Sequence, residues 1–320
     1  MKRRYATITG FMGQLQDRFA HYQEARSLEE KMELISQIEK CQGVEVVFPQ
    51  DFDDPLKLKE LLHAHDLQVS AVNLNVKTED KWRTGSFSSP NPEIRSEAVA
   101  YLKRAMDCAV ELGCNTVTTS LLNDGSDYPF EVDYIRAFEH TREAILEAAE
   151  YRSDIRISLE YKASEPRVHC LLNNAGKMAS LCMLIGKPNV GVTLDVGHAL
   201  QCMEIPADSA AFLFLTKRLF HVHLNDNNRV WDWDLLPGTH NLLQQVEFFL
   251  YLKRLGYGDW LVADVYPQRH DPVRFMTKAF EWTDFLIDLA EKIDESLLYD
   301  HDRHGDNFDA LEHIRSLMHG

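Results

Sequence analysis

Short runs of β-branched and apolar residues alternate along the chain with longer stretches in which apolar positions recur every three to four residues. The short runs are "YATITGF" (5–11), "GVEVVFP" (43–49), "LQVSAVNLNV" (67–76), "NTVTTSLL" (115–122), "RISLEYK" (156–162), "VGVTLDVGH" (190–198), "LFHVHLND" (219–226) and "WLVADVY" (260–266). Their length and composition predict strands. The segments 28–41, 55–65, 93–112, 134–151, 169–185, 210–218, 242–255 and 272–293 carry the spacing of helices that bury one face. "ELGCN", "LIGKPN" and "RLGYGDW" each put a Gly just past such a segment, where a left-handed residue ends a helix. Eight β–α units with no linker or low-complexity tract between them predict a single (β/α)8 TIM barrel of parallel strands over residues 1–293. A doubly wound open sheet is the alternative, disfavoured because no Gly-rich phosphate loop follows the first strand. Residues 294–320 form a C-terminal extension: the acidic, His-containing "LYDHDRHGD" leads to one more helix over 306–318, placed to pack on the barrel or on a partner subunit.

Composition narrows the classes. With 320 residues, 45% of them hydrophobic, the chain can bury a large core. A formal charge of −16 and a pI near 5.3 argue against a non-specific nucleic-acid binder, because phosphate attraction would work against a repulsive field. Six cysteines (Cys41, Cys108, Cys114, Cys170, Cys182, Cys202) form no C-x-x-C pair, which suits reduced thiols in a cytoplasmic protein. No apolar run has the length of a membrane span. "MKRRYATITG" runs straight into a strand with no h-region, so no signal peptide is expected.

In a barrel of this kind the mouth lies at the C-terminal ends of the strands. The fifth strand ends in "LEYK", with Glu160 and Lys162 on one face; the sixth ends in "LDVGH", with Asp195 and His198. The seventh ends in "HVHLND", with His223 one step nearer the mouth than His221, and the eighth in "VADVY", with Asp264. A lone charge among apolar strand residues is costly, and one divalent cation answers that cost for Glu160, Asp195, His223 and Asp264 together. Three carboxylates and one imidazole suit Mn2+ first, with Mg2+ or Co2+ as alternatives, better than structural zinc. No organic cofactor is expected. A single acid at a strand end is more often a cap or a loop ion pair; four on adjacent strands are not explained that way. His221 alone reads as a hydrogen-bonded interior histidine. Lys162 reads as a counter-ion to Glu160 as well as a catalytic group, and Asp232-Trp233-Asp234 reads equally as a solvated turn.

These residues together resemble the xylose-isomerase-like TIM-barrel superfamily of sugar isomerases and epimerases. The resemblance covers most of the chain as architecture and is specific in the fifth to eighth strands. Ketose 3-epimerases of the tagatose and psicose type hold one metal with Glu, Asp, His and Glu. They also carry a His three residues after the Asp and an Arg six residues after the metal His, places filled here by His198 and Arg229. Xylose and L-rhamnose isomerases hold two metals and carry a Glu-x-Lys and an Asp-x-Asp, to which Glu160-Tyr161-Lys162 and Asp232-Trp233-Asp234 are similar. The resemblance implies Glu160, Asp195, His223 and Asp264 around a first metal. It implies His198, Asp232 and Asp234 around a second, with Asp195 as a bridge.

The epimerases use two metal-bound glutamates to move a proton between opposite faces of a carbon; here the second carboxylate is Asp264, one methylene shorter. Glu-x-Lys and Asp-x-Asp favour the isomerases, in which a hydride moves between C1 and C2 and Lys162 would stabilise charge developing on O1. The expectation is therefore a divalent-metal-dependent sugar isomerase interconverting an aldose and a ketose. Alternatives are a single-metal ketose 3-epimerase, with Glu160 and Asp264 as the acid–base pair, and a metal-dependent lyase or dehydratase on a sugar derivative. An endonuclease IV-like repair enzyme is opposed by the acidic charge, and a non-catalytic binding barrel would not need Lys162. Xylose isomerase has a ring-opening His–Asp pair early in its barrel. Here no His ends the second or third strand, since His63 and His65 lie in a helical pattern. Asp226, Asn227 and Arg229 are placed to orient ligands or sugar hydroxyls, and His198 could also meet the sugar. Trp82, in "KTEDKWRTGSF", reads equally as a cover for a sugar's apolar face and as a simple packing residue. The expected partner is a small-molecule sugar, without nucleic acid or membrane; a homo-oligomer, dimer or tetramer, is left open.

Overall fold

The computed structural model describes residues 1–299 and 307–319. Eight strands close a parallel barrel: Tyr5–Ile8 (β1), Cys41–Phe48 (β2), Gln68–Leu74 (β3), Thr116–Ser120 (β4), Arg156–Glu160 (β5), Val190–Asp195 (β6), Leu219–Leu224 (β7) and Leu261–Ala263 (β8). Each strand lies beside its neighbours in the chain, and β8 closes on β1. Around them run Leu28–Ser36 (α1), Pro55–Ala64 (α2), Pro92–Glu111 (α3), Tyr134–Tyr151 (α4), Ala175–Ile185 (α5), Val196–Gln201 (α6), Pro206–Leu215 (α7), Leu242–Arg254 (α8), Pro272–Lys292 (α9) and Phe308–His319 (α10). The fold is the (β/α)8 barrel that the alternation predicts.

Local chemistry sets the helix ends. Ser27 and Glu30 form a capping box on α1. Pro55, Pro92, Pro206 and Pro272 sit in the first turn, where no backbone N–H is needed. Gly186 ends α5 at φ 71°, a left-handed conformation that a Cβ would oppose.

Three boundaries differ from the pattern. The helix expected over 28–41 ends at Ser36, and Cys41 already belongs to β2. The helix expected from residue 169 starts at Ala175, because Val168–Cys170 joins Ser164–Glu165 and Gly125–Ser126 in a small antiparallel sheet. The helix expected over 210–218 spans Pro206–Leu215 and is preceded by α6, whose N-cap is Asp195, the last residue of β6. The "LYDHDRHGD" linker lies, from residue 300 on, outside the described residues. Beyond it α10 packs on α9, and His313 Nε2 accepts from the backbone N–H of Asp294 at 3.0 Å. All six cysteines are free. Among the described residues no helix is long and apolar enough to cross a membrane.

The apolar core lies between barrel and helices, where Tyr5, Phe48, Phe248, Phe249 and Phe280 are buried. The inside of the barrel is unusually polar. Glu45, Thr118, Ser158, Thr193 and His221 have no exposed surface, and Asn73 little. Buried polar groups persist only when paired, and these are: Ser158 and Thr193 share a 2.7 Å hydrogen bond, and Asn73, Thr118 and His221 all converge on Glu45.

Candidate metal centre at the barrel mouth

Strand register brings the four strand-end residues together. Glu160 pairs with Thr193, and Asp195 with His223. Asp264 follows β8, its N–H held by Leu224 O at 3.1 Å. His223 Nδ1 lies 3.0 Å from Asp264 Oδ2, 3.6 Å from Glu160 Oε1 and 3.9 Å from Asp195 Oδ2. One ligand atom from each of the four falls within a span of 4.8 Å.

A second group adjoins the first and shares Asp195 with it. Asp195, His198 and Asp232 also bring ligand atoms within 4.8 Å. Asp195 caps α6, accepting from His198 N at 2.8 Å, so the "DVGH" turn itself carries both side chains. His198 Nδ1 is 3.0 Å from Glu160 Oε1, and its Nε2 is 2.9 Å from Asp232 Oδ2. Lys162 Nζ is 2.9 Å from that same Asp232 oxygen and also pairs with Glu165.

The loop after β7 is tied down by its own amides. Asn225 Nδ2 donates to Asp195 Oδ2 and to Asp234 Oδ1, both at 3.1 Å. Asn227 Nδ2 donates to Asp232 Oδ1 at 3.2 Å and to Gly197 O at 2.8 Å. Asp226 accepts from the N–H groups of Asn227, His240 and Asn241 and from Asn241 Nδ2. It also exchanges backbone hydrogen bonds with Leu235. Gly197 is the tight point. A Cβ there would stand 2.5 Å from Asn225 Oδ1 and 3.0 Å from Asn227 Nδ2. Gly197→Ala is therefore expected to push both asparagines off the carboxylates they hold and to weaken Mn2+ binding by about tenfold or more. A calorimetric titration checks this, and unchanged affinity would show that the two amides do not position the ligands.

The electrostatics of the cluster record an excess of negative charge. Burial pushes Asp195 up to about 7, with Asp264, Glu160 and Asp232 adding to the effect against His198. Burial, then Asp232 and Asp264, drive Asp234 well above the usual carboxylate range. Burial also disfavours charge on His198 and His223, yet the surrounding carboxylates, Asp195 and Asp232 for one and Glu45 and Glu160 for the other, raise both well above an ordinary imidazole. Burial would raise Glu160, but His223 and His198 hold it low; for Asp232, His198 and Lys162 do the same. Protons thus gather where cations would bind. The buried Nδ1 atoms of His198 and His223 make no hydrogen bond. Imidazole nitrogens that face carboxylates at 3.0 Å without being aligned to them as hydrogen bonds fit divalent cations of the oxygen- and nitrogen-liking kind.

The other expected site residues fall as follows. Asp234 is beside the second group, held by Asn225 rather than converging with His198 and Asp232. Arg229 has its guanidinium on Asn241 and Gln244 and is in neither ligand group. Trp82 does not cover the mouth. Its ring has no exposed surface and packs edge-on against Tyr101 of α3, so it has no free face to offer a sugar. Three residues were not anticipated. Asn225 holds two carboxylates at once. Lys77, just past β3, donates to Ser120 Oγ at 2.5 Å; burial lowers its pKa although Glu160 and Asp264 pull it up, which places its ammonium in the field of the metal cluster. Glu45 lies beneath His223, its Oε2 3.2 Å from Nε2. For Glu45 the signal was visible: a carboxylate inside the apolar run "GVEVVF".

Comparison with known proteins agrees with this architecture. A family model described as "Xylose isomerase-like TIM barrel" matches residues 33–285. The xylose isomerase of Thermus thermophilus is 27% identical over 218 residues, which cover 65% of this chain and 56% of that protein. The match thus spans little more than half of that relative's length. A D-tagatose 3-epimerase-like protein has a similar solved structure, with a TM-score of 0.69 at 20% identity, over 90% of this chain and 98% of that one. An L-ribulose 3-epimerase gives 0.72 at 16% identity, over 95% and 99%. At these identities the structural likeness speaks for the fold.

Proposed function

The chain belongs to the xylose isomerase-like TIM-barrel family, and from that premise we propose that it is a divalent-metal-dependent sugar isomerase interconverting an aldose and a ketose. The observation that carries this reading is the pair of adjoining ligand groups that share Asp195, with Lys162 seated on Asp232 beside them. A single-metal epimerase needs only the first group. Glu160, Asp195, His223 and Asp264 would hold one cation, and Asp195, His198 and Asp232, with Asp234 next to them, a second. Mn2+ suits these donors, as do Mg2+ and Co2+. Bound there, the cations would supply Lewis acidity toward the sugar's oxygens.

The chain's own groups do the rest. Asp232 and Glu165 keep Lys162 charged in spite of its burial, so its ammonium can stabilise the oxygen at C1 as charge develops on it. Asn225 and Asn227 fix the carboxylates, so no reorganisation is needed as the hydride passes between C2 and C1. No imidazole stands at the ends of β2 or β3 among the described residues; Lys77 is the proton-bearing group on that side of the mouth.

Purified protein with Mn2+ or Co2+, screened across pentoses, hexoses and their ketoses, tests the reading. A C2-deuterated aldose is expected to give C1-deuterated ketose with little label lost to solvent, since an internally moved hydride does not exchange with water. Exchange at C3 instead would establish 3-epimerisation, with Glu160 and Asp264, which both face His223 Nδ1, as the acid–base pair.

A further inference from the structure

Glu45 sits in the middle of β2 with no exposed surface, and four side-chain donors converge on it. Asn73 Nδ2 and Thr118 Oγ1 reach Oε1 at 2.8 and 2.5 Å, while His221 Nε2 and His223 Nε2 reach Oε2 at 3.0 and 3.2 Å. An ionised carboxylate only accepts. Each imidazole nitrogen facing it must therefore carry its hydrogen. Only Nε2 of His223 is aligned as a hydrogen-bond donor, to Glu45, so Nδ1 is the nitrogen left with a lone pair once the ring is neutral or meets a cation. That atom is buried, makes no hydrogen bond, and points among Asp264, Glu160 and Asp195.

Resting on the metal reading of that quartet, we infer that Glu45 is a positioning residue for the metal centre: it locks His223 in the Nε2–H tautomer and in the ring orientation that presents Nδ1 to a divalent cation. Asn73, Thr118 and His221 hold Glu45 in turn, which gives these buried polar groups of the barrel interior a common purpose. A ligating histidine whose other nitrogen donates to a carboxylate is also a more basic ligand, and losing such a partner commonly costs 10–100-fold in metal affinity. A merely structural Glu45 would affect folding and leave both the tautomer and the affinity of the folded protein unmoved.

Two measurements on the full chain separate these roles. In the metal-free protein, nitrogen-15 NMR of the histidine side chains, followed up in pH until the His223 ring is neutral, is expected to show it as the Nε2–H tautomer, and Glu45→Gln to shift it toward Nδ1–H. In a Mn2+ titration followed by electron paramagnetic resonance, Glu45→Gln is expected to raise Kd by about 10–100-fold, with His223→Ala as the non-binding control. If Glu45→Gln does not fold, Thr118→Val, which removes one donor to Oε1, is expected to raise Kd several-fold in the same direction. Wild-type Kd in the folded variant, or His223 as Nδ1–H in the wild-type protein, overturns the inference. Wild-type protein that takes up no Mn2+ overturns the metal reading itself, and this inference falls with it.

Discussion

Metal-free protein is expected to lose stability as pH rises from 6 to 8, while the increase in Tm that Mn2+ brings grows over the same interval. Burial, with Asp264, Glu160 and Asp232 nearby, pushes Asp195 from an ordinary 3.8 up to about 7. A carboxyl raised on folding binds its proton more tightly in the native state, so its contribution favours folding at low pH and is withdrawn as pH climbs through 7. His198 and His223 are raised as well, so their contributions are complete below an unfolded pKa near 6.5 and are lost as pH climbs through the folded values; they act in the same direction. Glu160 and Asp232 are depressed and matter only in acid, outside this window. A cation competes with the same protons, so its affinity rises as they leave. At a hundred-fold excess over Kd the ion adds about 2.7 kcal/mol, a shift on the order of 5 °C for a chain of this size. Asp195→Asn removes the residue common to both ligand groups and is expected to abolish the Mn2+-dependent shift at every pH. Scanning calorimetry with and without Mn2+ at pH 6 and pH 8 reads all of this. An equal Mn2+ shift in Asp195→Asn would place the ion elsewhere.

Lys162→Met is expected to lower kcat by about 10²-fold or more with little change in KM, as loss of one preorganised charge stabiliser does. The side chain is 7% exposed and held by Asp232 and Glu165, so the ammonium has little freedom to be replaced by water. The substitution also leaves Asp232 without one partner, so the metal-free Tm is expected to fall by a few degrees. Mn2+ binding at the first group, which Lys162 does not touch, is expected to persist. Steady-state rates on the aldose that the activity screen returns, together with a Mn2+ titration, separate the two effects. A kcat within about threefold of wild type would reduce Lys162 to a counter-ion.

The barrel was legible because buried parallel strands write themselves as apolar runs, and because helices around them keep a one-sided spacing. The first ligand group was legible for the opposite reason: Glu160, Asp195, His223 and Asp264 are charges or imidazoles where such runs end. What the sequence concealed depends on distant partners. "VHCLLNNAGKM" has helical spacing, yet its first residues pair with Gly125–Ser126 some forty positions earlier. Trp82 sits in a loop, and the core that buries it includes Tyr101, nineteen positions later, edge-on to its ring. Asn225 looks like an ordinary loop amide until the turn after β6 comes against it. Glu45 was marked by its setting but not by its role, because His221 and His223 meet it across the barrel from 176 and 178 residues away.

Asp226 fastens the loop at residues 226–241 by four hydrogen bonds to its carboxylate and a backbone bridge to Leu235. That loop carries Asp232 and Asp234, so their donors are in place before any ion arrives. A slack loop would surrender on the order of 1–2 kcal/mol per residue in ordering entropy on binding; here that loss belongs to folding. Rigidity also makes the span between donors a filter for ionic radius. Small ions that take six ligands at ~2.0–2.1 Å suit a compact cage, whereas Ca2+, at ~2.3–2.6 Å with up to eight ligands, would have to prise Asp226 from its partners to enlarge it. Weaker binding of Ca2+ than of Mn2+ is therefore expected, and it would originate in Asp226, a carboxylate outside both ligand groups.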